Sequence, residues 1–252
     1  MLQSAQAPSL RAGALTLAEA GVALFPCAPG GKQPLTARGF HDASNHPAQV
    51  AQWWRQWPDA NIGLPTGAVN GVVVVDVDVH PGGSGYGAFG RAHTAGFTEG
   101  WAWQVRTPSG GLHAFYPHDP GIKDGQRSWQ VAGAHVDFRG DGGYVVAAPS
   151  RVAVAGALRA YELVAVTQTQ PRPIDSTGLR AFLDPPRLLR PPASAPARGT
   201  RPDRLAAWVA SRPEGARNHG LFWAACRLAE DGHRIDSAMT TLGDAAVSSG
   251  LS

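Results

Sequence analysis

The run Gly71-Val72-Val73-Val74-Val75-Asp76-Val77-Asp78-Val79 constrains this chain more than any other segment. Four consecutive β-branched residues are stiff in a helix and pack well on a pleated surface, so the run predicts a buried strand over 72–79. Side chains alternate faces along a strand. Asp76 and Asp78 are therefore expected on one face, roughly 6–7 Å apart along it. Two like charges at the end of a buried strand repel each other, and a divalent cation is one way to neutralise them.

The 252 residues suffice for one large domain, or one domain with a small appendage, and 43 % hydrophobic content supports a real core. The chain shows no apolar run of membrane-spanning length and no signal-peptide pattern, so a soluble cytoplasmic protein with no membrane partner is expected. Cys27 and Cys226 are far apart and lack metal-ligand spacing, which predicts small buried hydrophobes rather than a disulfide or a zinc site. A net charge of +3 permits nucleic-acid binding without requiring it. The basic residues are nearly all arginine, the only lysines being Lys32 and Lys123.

The expected elements are a helix over 15–20, a strand over 22–26 and a helix over 47–57 with Pro47 in its first turn. Strands follow at 61–64 and 72–79, then a glycine-rich turn over 80–85 and a helix over 86–94. Residues 101–106 and 112–116 read as one strand pair. Residues 134–138 and 144–147 read as another, closed by Gly140-Asp141-Gly142-Gly143, where Asp141 is a turn former. A last strand is expected near 160–164. This pattern is an α+β domain over 1–183. Residues 184–202 hold six prolines and several arginines and read as a semi-rigid linker. Three helices over 203–211, 216–231 and 235–248, with Asp203 as N-cap of the first, predict a small helical domain over 203–252. The last segment stops without a capping signal, as a piece of a longer chain would.

Chemistry concentrates on three successive segments: Asp76-Val77-Asp78, Ser109-Gly110-Gly111-Leu112-His113, and Val136-Asp137-Phe138-Arg139. Asp137 has apolar neighbours on both sides, so it is a carboxylate in a strand context that is otherwise core. Three carboxylates, one histidine and a Gly-Gly turn suit a site for Mg²⁺ or Mn²⁺ and a polyphosphate. Turn N–H groups can face phosphate oxygens, and Arg106 and Arg139 flank the site, either as partners of triphosphate charge or as cross-strand surface charges. Lys32 lies in a Gly-Gly-Lys loop, open to a phosphate or template contact or to plain solvation. Trp53, Trp54 and Trp57 read first as packing, with base stacking by Trp54 the minority alternative. Arg217 and Asn218 either begin a DNA-contacting helix or cap and pair within the small bundle.

In order and spacing these segments resemble the bifunctional DNA primase/polymerase domain of the archaeo-eukaryotic primase superfamily. The likeness spans about residues 18–161. It includes Pro26 to Leu35 with Lys32, Trp53-Trp54 before Asn61-Ile62-Gly63, Thr66-Gly67, the three segments above, and Gly143-Tyr144-Val145-Val146-Ala147-Ala148-Pro149-Ser150. The resemblance implies an α/β unit joined to an RNA-recognition-like catalytic sheet. It places metal binding and catalysis on Asp76, Asp78 and Asp137, and nucleotide contacts on Ser109 and His113; the residues themselves add Gly110, Gly111, Arg139, Arg106 and Lys32 as candidate nucleotide contacts. Glu214 to Leu221 resembles the start of the helical region that often follows this domain in phage and plasmid proteins. Implied partners are a single-stranded DNA template, nucleoside triphosphates and a replicative helicase on a separate chain, because no P-loop occurs here. Two other classes stay open: a gap-filling repair polymerase without primer initiation, and a non-catalytic replication-initiation module that binds DNA.

Overall fold

The computed structural model describes residues 2–185, 199, 201–213 and 216–248. The chain divides into two compact units, Met1–Pro185 and Pro186–Ser252.

The first unit begins with helices α1 (Leu2–Ala5) and α2 (Leu10–Glu19); Ser9 caps α2 by accepting the Ala12 N–H, which explains its start upstream of the expected residue 15. Strand β1 (Phe25–Cys27), helix α3 (Pro47–Gln56) and strand β2 (Asn61–Pro65) follow. Next come β3 (Val72–Val77), the two-residue strands β4 (Val79–His80) and β5 (Gly83–Ser84), and helix α4 (Tyr86–Thr94). Strands β6 (Trp103–Arg106), β7 (Leu112–Pro117), β8 (Trp129–Val131), β9 (Val136–Arg139) and β10 (Tyr144–Val146) continue the chain. The unit closes with β11 (Arg151–Val154), β12 (Ala157–Ala160), β13 (Glu162–Val166) and helix α5 (Ser176–Leu183).

The main sheet is antiparallel throughout, in the order β13-β6-β7-β3-β9-β8, and a smaller antiparallel sheet has the order β1-β2-β10. The valine run is the central strand β3, and both its faces are covered. Val73, Val75 and Val77 pack with Ala88 and Ala92 of α4, Phe138 of β9 and Leu179 of α5. Val74 points the other way, toward Leu17 of α2, Val50 and Trp54 of α3, and Ile62 and Leu64 of β2. Two-sided burial is why the run is continuous rather than alternating. Helices as short as α2 and α3 are marginal alone, and burying each large apolar side chain contributes about 1.5–3 kcal/mol, so this core holds them in place. The α+β reading stands.

Two expectations for this unit need correction. Residues 134–138 and 144–147 are not strand partners. β9 pairs with β3 and β8, whereas β10 pairs with β2 in the other sheet. The glycine segment between them is a crossover. Thr66 donates its hydroxyl to the Gly140 carbonyl at 2.7 Å and its N–H to the Gly143 carbonyl at 3.0 Å. The Asp141 carboxylate accepts the N–H groups of Ala68 and Gln126 at 2.8 and 2.7 Å. Asp141 thus ties three chain segments together instead of closing a hairpin. The strand expected over 72–79 also breaks at Asp78, which lies between β3 and β4.

Cys27 is fully buried, and burial pushes its thiol up to about 12; Cys226 is half-buried, and both are free. The second unit contains α6 (Pro202–Ala210), α7 (Arg217–Glu230) and α8 (Ile235–Ser248), joined by Leu205, Val209, Trp223, Leu228 and Leu242. Arg201, not Asp203, precedes α6; Pro202 takes the first helical position and Asp203 sits in the first turn, paired with Arg201 at 3.1 Å. The expected linker, 184–202, falls largely outside the described residues, as do Glu214 and Gly215. Among the described residues no helix is long and apolar enough to cross a membrane.

Candidate active site

Strand register builds the site. One transverse row runs Leu163, Val105, His113, Asp76, Asp137, Gln130 through all six strands of the main sheet, each residue directly opposite the next. Opposed residues share a face. The row is apolar at the β13 end and polar from the centre to β8. Asp76 therefore stands between His113 on β7 and Asp137 on β9. Arg139 is two residues beyond Asp137, on the same face.

Asp78 joins this pair from one residue past the end of β3, its N–H donating to the His135 carbonyl at 2.9 Å. One carboxylate oxygen from each of Asp76, Asp78 and Asp137 lies within 4.8 Å of the other two. Two unit charges at that separation repel by about 3 kcal/mol at a protein-like dielectric, and three carboxylates make three such pairs. The arrangement persists because cations lean on it. Arg139 donates to Asp137 at 2.7 Å and its guanidinium is 3.8 Å from Asp76; Gln130 donates to the same Asp137 oxygen at 2.8 Å. His113 Nε2 is 3.3 Å from the other Asp76 oxygen. His113 Nδ1 is buried with no hydrogen-bond partner among the described residues.

The three carboxyls divide in their ionisation. Burial works against the Asp76 charge, but His113, Arg139 and Lys32 together outweigh it and hold this carboxyl below the usual range. Burial raises Asp78, and the charges of Asp76 and Asp137 raise it further. Burial likewise raises Asp137, and Asp76 adds to this, against the opposing pull of Gln130 and Arg139. Burial is the largest cause at both Asp78 and Asp137. Three carboxylates face two fixed cations, Arg139 and Lys32.

A cavity of about 260 Å³ opens beside this cluster, lined by Lys32, Phe40, Asp76, His113, Arg139, Tyr144 and Tyr161 among others. The main sheet supplies Asp76, His113 and Arg139, and the small sheet supplies Tyr144. Lys32 is exposed, its loop carbonyl accepting the Tyr144 hydroxyl at 3.3 Å. Phe40 and Tyr144 stand with ring centroids 5.8 Å apart.

The remaining expected residues lie elsewhere. Ser109 is exposed on the β6–β7 turn, its hydroxyl 3.1 Å from that of Thr107. Gly110 N–H donates to the Thr107 carbonyl and Gly111 N–H to the Thr107 hydroxyl, so the amide donors expected for a phosphate are engaged by the turn itself. Arg106 is a surface cation opposite Glu162, 3.5 Å away. Trp54 is only 1 % exposed and donates its indole N–H to Ala60, so no ring face is open to a base, and packing is its role. In the second unit, Arg217 donates to the Arg212 carbonyl at 3.4 Å and Asn218 is exposed. Sequence reasoning missed Gln130, Phe40 and Tyr161; β8 was not foreseen, and single aromatics in loops carry no motif.

The fold and site define a protein with three clustered carboxylates beside a cleft between two antiparallel sheets. The chain belongs to the bifunctional DNA primase/polymerase family, whose N-terminal domain model matches residues 14–197. A search of curated proteins finds no match. Family membership implies metal-dependent nucleotidyl transfer of the DNA primase/polymerase type, with a DNA template and nucleotides as substrates.

Proposed function

We propose that this chain makes and extends primers on single-stranded DNA, joining nucleotides in the cleft beside Asp76. The observation that carries the reading is the convergence of the Asp76, Asp78 and Asp137 oxygens within 4.8 Å in a chain of this family. The donor set fits hard divalent ions: carboxylate oxygens only, too close together to be ionised at no cost, with Asp78 and Asp137 raised by burial and by their neighbouring carboxylates. Asp76, Asp78 and Asp137 would hold two Mg²⁺ or Mn²⁺ ions. Bound there, the ions supply Lewis-acid charge for the attacking 3′-hydroxyl and the departing pyrophosphate.

The chain's own residues do the positioning. Lys32 and Arg139, lining the same cavity, take the triphosphate charge. His113 lines the same cavity and contacts the incoming nucleotide. Ser109, exposed on the β6–β7 turn, contributes its hydroxyl to the nucleotide. Gln130 fixes the Asp137 carboxylate by its hydrogen bond. Catalysis is then mostly placement and charge neutralisation. The fold is that of the archaeo-eukaryotic primases, followed by a small helical domain whose Arg217 and Asn218 contact template. The setting is replication of a phage, plasmid or other mobile element, with a helicase on a separate chain.

Incubation with a single-stranded template, nucleotides and Mn²⁺ but no primer tests this. The wild-type chain should make new di- and oligonucleotides, and the Asp76→Ala/Asp78→Ala protein none. Products only from a supplied primer would point to a gap-filling polymerase. DNA binding with neither activity would point to a non-catalytic initiation module.

A further inference from the structure

We infer that His80 and His135 form a bracket that positions Asp78, and so sets the third carboxylate of the acidic cluster; this rests on the metal-site reading above. Asp76 and Asp137 are fixed within the β3–β9 ladder, whereas Asp78 follows the last residue of β3 and keeps only a single bond in the same register. Its backbone is held by two bonds. The Asp78 N–H donates to the His135 carbonyl at 2.9 Å, and the Asp78 carbonyl accepts the Gly85 N–H at 2.8 Å. The place of Asp78 therefore depends on where His135 stands.

His135 is held in an uncommon conformation. Its φ of 53° and ψ of 40° are left-handed, a region that residues with a Cβ seldom occupy. His135 closes the short 3-10 turn Ala132–Ala134, its N–H donating to the Ala132 carbonyl at 3.2 Å, and the side chain so placed meets His80. His80 Nε2 and His135 Nδ1 are 3.0 Å apart, with the rings edge to face. Gly82 N–H donates to His80 Nδ1 at 3.1 Å, so in the neutral ring His80 Nε2 carries the proton and donates to His135 Nδ1. The β4–β5 hairpin that carries His80 wraps closely around His135. A Cβ at Gly83 would strike the His135 ring, and one at Gly85 would strike the His135 carbonyl. Glycine at both positions is what allows the approach. The chain of support runs from Gly82 to His80, from His80 to His135, and from His135 to Asp78. Both histidines are positioning residues, since neither belongs to the acidic cluster.

His80 is exposed, so replacing it leaves the core intact. Two measurements on the full chain test the bracket. In metal-free protein, His80→Ala should speed amide hydrogen exchange at Asp78 while the melting temperature stays near wild type. By calorimetry, His80→Ala should weaken Mn²⁺ binding about tenfold. His80→Gln, whose carboxamide can donate to His135, should recover most of that loss. His80→Ala should add nothing once Asp78 is already alanine. Unchanged exchange at Asp78, or an undiminished His80→Ala effect in the Asp78→Ala background, would overturn the bracket. Equal Mn²⁺ binding by wild type and Asp78→Ala would instead overturn the metal-site reading, and this inference with it.

Discussion

Asp76 and Asp137 are directly opposed residues of the antiparallel β3–β9 ladder, and the Arg139 guanidinium reaches both carboxylates, at 3.8 and 2.7 Å. An arginine so placed neutralises the pair, and it also competes with any other cation for the same oxygens. Replacing it should have opposite effects on two observables. Arg139→Gln should tighten Mn²⁺ binding to the nucleotide-free protein severalfold, because the competitor is gone. The same variant should raise the KM for nucleotide, because a triphosphate partner is gone too. Calorimetry and steady-state kinetics read the two separately; weaker Mn²⁺ binding would show that Arg139 builds the site rather than competing for it.

Acidity should govern metal binding in a defined direction. Asp78 and Asp137 keep protons in the metal-free folded chain at pH values where the unfolded chain has released them. Their contribution to stability is therefore greatest at low pH and falls as pH rises from the ordinary carboxylate value of 3.8 through their raised folded values. Asp76, with its lowered value, acts in the opposite sense and below that window. Mn²⁺ requires the unprotonated carboxylates, so the rise in melting temperature that it causes should shrink between about pH 7 and about pH 4.5. A Mn²⁺ shift that ignores pH would contradict the assignment of Asp78 and Asp137.

How much of this was legible in sequence differs from residue to residue. The central strand was readable because Val72 to Val75 admit little else, and the helix over 86–94 has the bounds expected. The three acidic residues were readable as chemistry because Asp76, Asp78 and Asp137 sit where apolar side chains belong. Their arrangement was not. Adjacency of β3 and β9 is a long-range pairing, and the Gly140 to Gly143 segment looks like a hairpin turn until Asp141 is seen binding Ala68 and Gln126. Two-residue spacing suggested that strand pleating placed Asp78. In the structure Asp78 does join the other two carboxylates, one residue past the end of β3, where its N–H still bonds the His135 carbonyl in the β3–β9 register; that the partner would be His135 no local pattern announces.

Asn61 links fold to site. It is 1 % exposed; its side-chain N–H donates to the Gly31 and Arg151 carbonyls at 2.9 and 2.6 Å, and its oxygen accepts the Arg151 N–H at 2.9 Å. Gly31 adjoins Lys32. Asn61→Ala leaves these buried groups unpaired and should cost about 2 kcal/mol, read as a lower denaturation midpoint. It should also loosen the Lys32 loop and raise the KM for nucleotide more than it changes kcat.

Arg106 supplies a contrasting expectation. Its partner is Glu162 at 3.5 Å, and both side chains are more than half exposed. Such pairs contribute about 0–1 kcal/mol. Arg106→Ala should leave both stability and nucleotide KM close to wild type, and a large KM effect would return Arg106 to the nucleotide site.

The most direct test of the central claim is a crystal of the full chain with Mn²⁺ and a non-hydrolysable nucleoside triphosphate, read by anomalous scattering at the manganese edge. The account predicts a manganese signal among Asp76, Asp78 and Asp137, with the triphosphate reaching toward Lys32 and Arg139. A triphosphate bound elsewhere, or no manganese at these three carboxylates, would contradict it.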